Sequence, residues 1–280
     1  MGLLAHLITW LNVCANAAGR ILLFHIALLP GWLSSTLIAA VTGVLLLIIF
    51  KRTSNQQAIG RVRDDIRANM LALRLFTDSL SVTFGVQARL FRNSLHLLTY
   101  SIIPLLVMIV PVSLLLGQMR LWYQSRPLMP GEETIITMKL LDKSDAPWPD
   151  VSIEQIPAAE VVLGPVRVLS KREIHWKIRA SRNGYDRIVF NVDRQQIEKE
   201  LAVGDGFMRI SEERPGWYWS DILMHPREKP FGPDSPVWSI GIDYPDRLSR
   251  TSGTDWWLIY FFIASLVFAL AFKPILKVKI

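Results

Sequence analysis

The chain has 280 residues, of which 51% are hydrophobic, and it carries a formal net charge of +7. Its apolar residues are concentrated in runs of membrane-spanning length, which excludes a purely soluble globular protein. The basic residues flank these runs and do not form a stripe on a soluble domain, so the charge does not indicate a DNA-binding protein. The single cysteine, Cys14, excludes an intrachain disulfide and a thiolate metal site.

The first predicted element, residues 1–27, is an apolar helix with a narrow polar stripe. The stripe recurs at helical spacing and consists of His6, Thr9, Asn12, Asn16 and Arg20. This pattern is typical of an amphipathic helix that lies in the outer membrane interface. Pro30-Gly31 then separates it from the next apolar run. The alternative is a fourth spanning helix, which would reverse the side on which the N-terminus lies.

Three membrane spans are predicted, at residues 28–50, 95–119 and 256–273. A helix needs about 20 apolar residues to cross a hydrocarbon core that is ~30 Å thick. The second span contains Pro104 and Pro111, which kink a helix but are tolerated in membranes. No span has a charged residue in its interior, which argues against a proton pump or an ion channel.

The charge of the connecting segments predicts the orientation. Between the first two spans, residues 51–99 carry eight basic and three acidic residues, and the tail at 274–280 has only lysines as charged residues. The long segment 120–255 has 19 basic and 21 acidic residues. Because short basic loops stay in the cytoplasm, the N-terminus is predicted outside and the C-terminus inside. The single cysteine and the lack of any Asn-x-Ser/Thr site favour a bacterial inner membrane.

Residues 51–94 are predicted to form an antiparallel helical hairpin in the cytoplasm. A heptad-like apolar seam begins at Ile59 and ends at Phe84, and a turn is expected near residues 77–81. One long bent helix is the alternative. The hairpin region also carries basic residues that could capture a client, a ribosome or an anionic lipid, or could simply be solvated: Lys51, Arg52, Arg63, Arg67 and Arg74.

Residues 120–255 are predicted to be an all-β, sandwich-like domain outside the cytoplasm. Short apolar runs alternate with turn signals, and the last two runs are Phe207–Ile210 and Val237–Tyr244. The Asn183-Gly184 pair predicts a hairpin between the strands on either side of it. The segment Gln195–Leu201 is predicted to be a short helix.

The β domain offers little catalytic chemistry. A hydrolase would have to combine His225 with Asp221 or Glu228 and with Ser220 as the nucleophile. Pro226 and the neighbouring aromatic residues disfavour a helix that would align Asp221 with His225. Sequence motifs of hydrolases, metalloproteases and phosphate-binding loops are missing. We therefore expect no enzyme, no cofactor and no metal. Aromatic residues and arginine dominate the hot spots of protein interfaces. We therefore expect a candidate partner surface formed by Arg214, Trp217 and Trp219.

The order of these elements resembles a known family. The first span is followed by Lys51-Arg-Thr-Ser-Asn-Gln, and the predicted hairpin contains Ala72-Leu-Arg-Leu-Phe. This arrangement resembles the YidC/Oxa insertase superfamily, specifically its minimal three-span members related to the core subunit of the ER membrane complex. The resemblance covers a little over half of the chain. The β domain between the second and third spans is an addition to the minimal pattern.

The resemblance implies a half-open hydrophilic groove between the spans and a hairpin that receives client membrane proteins. Carried over to this chain, the groove candidates are Ser34, Ser35, Thr36, Thr42, Thr99 and Ser101. Many bacterial insertases also place an arginine in the groove, and no span has one here. The expected function is thus an insertase-like or chaperone-like protein of the bilayer. An envelope scaffold whose β domain binds a partner is the alternative, and a hydrolase using His225 is a third class.

Overall fold

The computed structural model describes residues 2–26, 28–75, 80–141, 148–154, 156–193, 195–253 and 256–278. The chain divides into two compact units. One combines Met1–Ser35 with Ser113–Tyr260, and the other combines Thr36–Val112 with Phe261–Ile280. The first unit holds the β domain and the N-terminal helix, and the second holds most of the membrane-spanning length.

Six α-helices occur in the described ranges: α1 Gly2–Ile26, α2 Gly31–Thr53, α3 Gln56–Leu75, α4 Leu80–Tyr123, α5 Trp219–Met224 and α6 Trp257–Leu276. Within these ranges, three stretches are long and apolar enough to cross a membrane, namely Gly31–Thr53, Phe84–Tyr123 and Trp257–Leu276. The prediction of a membrane protein with three candidate spans is therefore confirmed.

The region predicted as a hairpin contains α3 and the first part of α4. Asn55 caps the N-terminus of α3, because its side-chain oxygen accepts a hydrogen bond from the backbone N–H of Ala58 over 3.0 Å. The predicted turn at 77–81 lies largely outside the described residues, which resume at Leu80. From there α4 runs for 44 residues without interruption, so the second predicted arm and the second span are one helix.

In the second unit, α2 and α6 approach each other closely at a glycine. A Cβ atom added to Gly43 would lie 2.2 Å from the carbonyl oxygen of Ser265. Ala39 and Phe261 are buried nearby, at 0% and 1% exposure. Small residues allow helix backbones to come into contact in a membrane, where van der Waals packing drives association. Gly43 therefore sets the distance between these two helices.

Within the described ranges, eight strands form two antiparallel sheets, which confirms the predicted β domain. A five-stranded sheet has the order β3-β4-β1-β8-β7, and a three-stranded sheet has the order β2-β5-β6. Their bounds are β1 Glu133–Leu140, β2 Val151–Ile153, β3 Ala159–Val168, β4 Glu173–Ala180, β5 Gly184–Val192, β6 Gln195–Val203, β7 Glu213–Arg214 and β8 Val237–Ile242. One apolar cluster collects residues from both sheets, and in it the rings of Trp176 and Phe190 lie 5.4 Å apart.

The hairpin predicted at Asn183-Gly184 is wrong. This turn connects β4, which belongs to the five-stranded sheet, to β5, which belongs to the three-stranded sheet. β4 already pairs with β1 on one side and β3 on the other, so it has no free edge for β5. β5 instead forms its ladder with β6, from Gly184↔Val203 to Val192↔Gln195.

Two further assignments in this domain are corrected. Gln195–Leu201, predicted as a short helix, belongs to strand β6. Lys199 is fully buried on the same face of β6 as Ile197 and Leu201. Because a charged residue occupies this inward position, the sequence does not show the alternation of apolar and polar residues that would predict a strand. Phe207–Ile210, predicted as a strand, is not in one. Its backbone contacts the end of α4 instead, where the N–H of Ile210 donates to the carbonyl of Leu121 over 2.8 Å.

Candidate functional site

The polar stripe of α1 faces the β domain. Asn12 is buried, and its Nδ2 donates to the carbonyl oxygen of Ile222 in α5 over 2.6 Å. One turn later, Asn16 Nδ2 donates to the carbonyl oxygen of Pro226 over 2.6 Å. The first contact satisfies a carbonyl in the last turn of α5, where carbonyls have no intrahelical partner, and the second satisfies a carbonyl just beyond the helix. The stripe that the sequence showed therefore has a protein partner.

Arg209 is the centre of this contact. It is only 7% exposed, and its Nη2 donates to the side-chain oxygens of Asn16 and, over 2.6 Å, of Gln118. Gln118 Nε2 in turn donates to Asn16 Oδ1 over 3.0 Å. Burial, with a smaller contribution from the nearby Arg227, lowers the pKa of Arg209 to about 10. The guanidinium therefore remains charged at neutral pH, held by neutral amides.

A cavity of about 780 Å³ opens beside this network, entirely within the first unit. Three arginines and one carboxylate line it, together with a set of apolar and aromatic residues. The cavity lining consists of Asn16, Ala17, Arg20, Leu28, Trp122, Tyr185, Glu200, Phe207, Met208, Arg209 and Arg227. Sequence reasoning identified Arg20 and Asn16 as part of a polar stripe. It missed Arg209, for which the only signal was an arginine inside the apolar run Phe207–Ile210.

The residues considered for a hydrolase lie on and next to α5. A helix does form there, contrary to expectation, because Pro226 falls after its last residue and does not interrupt it. Ser220 Oγ donates to Asp221 Oδ1 over 3.0 Å. The ring of His225 lies 3.2 Å from the carbonyl oxygen of Asp221 and 4.0 Å from the Glu213 carboxylate. His225 thus contacts the backbone of Asp221, whereas the hydroxyl of Ser220 is directed to the Asp221 carboxylate.

The environment of His225 predicts a pH dependence of stability. Burial, and then the charge of Arg120, lower the pKa of His225 from its ordinary value of 6.5. The unfolded chain consequently binds more protons just below pH 6.5, so the folded state loses stability as the pH falls through that range. We expect the melting temperature of the full chain to fall between about pH 7 and about pH 5, and less steeply for His225→Gln. Equal slopes for the two proteins would contradict this assignment.

The three residues of the candidate partner surface have different environments. Arg214 Nη1 donates to the carbonyl of Glu198 over 2.6 Å, and its guanidinium lies 4.3 Å from the ring centre of Phe231. Trp217 contacts α1, where its ring lies 4.8 Å from that of His6. Trp219 is 41% exposed. Of these three residues, Trp219 has the side chain that is most accessible to a partner.

The groove candidates are distributed over both units. Ser34, in the first unit, is buried and accepts a hydrogen bond from the Tyr123 hydroxyl over 2.8 Å. Ser35 is also buried, and its hydroxyl has no partner among the described residues. Thr36 and Thr42 lie on α2 in the second unit, half-buried and buried. On α4, Thr99 and Ser101 donate to carbonyls one turn earlier, those of Leu95 and Leu97. Their role in a groove stays a prediction.

The candidate capture residues lie on α2 and α3. Lys51 Nζ donates to the carbonyl of Leu276, at the end of α6, over 2.7 Å. Arg52 is exposed and Arg63 is half-buried. Arg67 is exposed and lies 3.7 Å from Asp64, in a pair that solvent screens. The side chain of Arg74 lies outside the described residues. Capture of a client or of anionic lipid by these residues also stays a prediction.

Comparison with known proteins does not identify a family for this chain. No family model matches the chain, and no curated protein matches it. A crystal structure of domains 4 and 5 of the S-layer protein SbsC is similar over 29% of this chain and 47% of its own, at 12% identity and a TM-score of 0.23. The match therefore spans about half of that S-layer chain. A TM-score this low supports no statement about fold or function.

Proposed function

We propose that the protein is insertase-like or chaperone-like and assists the insertion or assembly of other membrane proteins. The observation that carries the proposal is the open surface of α4 within its span. Seven large apolar side chains in one stretch of it are exposed: Ile102, Ile103, Leu105, Leu106, Val107, Ile109 and Val110. These positions cover most of the circumference of the helix, so a client helix could replace lipid along α4.

The proposed mechanism uses the weak polarity of the spans. Thr99 and Ser101 introduce hydroxyl groups next to the exposed apolar stretch of α4. A polar segment of a client loses its water when it enters the bilayer, at a cost of several kcal/mol for each group left without a hydrogen-bond partner. Nearby hydroxyl groups on α4 reduce this cost by offering such partners. In this proposal α3 and the start of α4 form a cytoplasmic hairpin that receives the client. The outside N-terminus, the inner-membrane location and the sandwich packing of the two sheets belong to the same proposal.

Site-specific photocrosslinking in cells tests the function. We expect a probe at Thr99 to form adducts with newly made membrane proteins. A probe at Leu266, which is 60% exposed on α6, is the matched control for random contact within the bilayer. Client adducts at Thr99 that clearly exceed those at Leu266 support an insertase. Equal yields at the two positions, or adducts with lipid alone, contradict it.

An envelope scaffold is the second candidate, and the edge strand β3 favours it. β3 is the last strand of the five-stranded sheet, and it exposes Val161, Val162, Leu163 and Val166 at 41–60%. An exposed apolar edge strand is a template to which a partner can add a strand. A photoreactive probe at Leu163 distinguishes the two functions. An adduct with a single stable partner there, without client adducts at Thr99, would favour the scaffold.

A further inference from the structure

The cavity beside α1 has the size and the lining of a ligand site. Its volume of about 780 Å³ falls within the range of about 300–1,000 Å³ that small-molecule sites occupy. One part of the lining is cationic, with Arg20, Arg209 and Arg227. The other part is apolar and aromatic, and includes Leu28 and Trp122. A ligand that fills both parts must be amphipathic.

The charges in the cavity do not balance. Among the described residues, Glu200 is the single carboxylate in the lining, and Arg227 already engages it, with Nε 3.1 Å and 2.9 Å from its two oxygens. Neither Arg20 nor Arg209 forms an ion pair with a carboxylate within the part of the chain that the structure describes. Two positive charges in the cavity are therefore left for an anion.

Arg209 gives the strongest indication of an anionic ligand. Its side chain is more than nine-tenths buried, and its hydrogen bonds go to the neutral amides of Asn16 and Gln118. Its Nε has no acceptor among the described residues. A buried charge is costly unless an opposite charge pairs with it. The neighbouring charges of Arg227 and Arg20 add to this cost. The charge of Glu200 offsets part of it, yet burial still lowers the pKa of Arg209.

The position of the cavity along the chain identifies the source of the anion. Trp122 lies in the last turn of α4, and Leu28 lies just before α2 begins at Gly31. Both residues therefore flank the ends of candidate spans, where aromatic side chains sit at the level of lipid headgroups. At this level the abundant amphipathic anions are phospholipids, which reach the cavity by lateral diffusion.

We propose that this cavity binds one anionic phospholipid. Its phosphate pairs with Arg20 and Arg209, and the upper part of its acyl chains lies against Leu28 and Trp122. The lipid supplies the counter-charge that Arg209 lacks, and it contacts α1 and the β domain at once. The proposal is independent of the insertase function, because it uses only residues of the first unit.

The test measures lipid retention by the full-length protein, purified in detergent and delipidated. Phosphatidylglycerol and phosphatidylcholine with the same acyl chains are added back, and bound lipid is counted by native mass spectrometry. We expect a clear preference for phosphatidylglycerol. Arg20→Gln should weaken its binding about tenfold, because one charge-assisted hydrogen-bonding group is lost. Arg20 is exposed, so the variant should fold, and Arg20→Lys should keep the preference because it keeps the charge.

Arg250→Gln is the matched control. Arg250 is also exposed, precedes α6 by a few residues and does not line the cavity, so its loss should leave binding unchanged. Equal binding of the two lipids, or equal losses in Arg20→Gln and Arg250→Gln, would overturn the proposal. Glycerol phosphate, the soluble part of the headgroup, distinguishes a lipid from a small anion. Its full displacement of lipid at matched concentration would assign the cavity to small anions and also overturn the proposal.

Discussion

Replacing Glu228 with leucine is expected to lower the free energy of unfolding of the β domain by about 3–5 kcal/mol. The reason is the ammonium group of Lys199, whose side chain is completely buried. Its Nζ donates to Glu228 Oε1 over 2.7 Å and to the carbonyl of Ser211 over 2.6 Å. Without the carboxylate, the ammonium stays buried with neutral acceptors alone, and the protein bears its full desolvation cost.

The measurement is the melting temperature of the full chain in detergent, with Glu198→Leu as the control. Glu198 pairs with Arg187 on the surface, where the two side chains are 51% and 71% exposed, so its loss should cost at most about 1 kcal/mol. The double variant Lys199→Met, Glu228→Leu should recover much of the stability, because it removes both charges. Similar melting temperatures for Glu228→Leu and Glu198→Leu would show that Lys199 does not need this partner.

The second large effect is expected for Asn16→Leu, which should detach α1 from the β domain. The side chain of Asn16 accepts hydrogen bonds from Arg209 and Gln118 and donates one to the carbonyl of Pro226. Leucine can make none of these bonds, and each buried group left unsatisfied costs about 1–3 kcal/mol. The helix then keeps few polar contacts that hold it in register with α5.

The chain carries its own reporter for this experiment. Cys14 is the single cysteine, it is exposed, and it lies on α1 two residues before Asn16. A spin label on Cys14 should become more mobile in Asn16→Leu than in the unmodified protein. Val13→Leu, at a position 62% exposed on the same helix, is the control and should leave the mobility unchanged. An immobile label in Asn16→Leu would mean that α1 is held by its apolar contacts.

The sequence predicted features that depend on local composition. The three spans follow from runs of about 20 apolar residues, whose meaning does not depend on the rest of the fold. The β domain follows from alternating residues and turn signals between 120 and 255. The polar stripe of α1 was visible for the same reason, since helical periodicity is a property of a single segment.

Features that depend on which segments meet could not be predicted in the same way. The Asn183-Gly184 turn has the composition of a hairpin, yet β4 has both edges occupied, so β5 pairs elsewhere. Lys199 looks like a surface residue until Glu228, which lies far along the chain, provides its counter-charge.

The candidate site shows the same division between local pattern and tertiary contact. Asn16, Gln118 and Arg209 are distant in sequence and form a network only once α1, α4 and the β domain come together. The sequence determined that α1 has a polar face, because that face results from the period of a single helix. The tertiary structure decided that this face contacts protein, because burial and charge pairing are properties of pairs of segments and not of one segment.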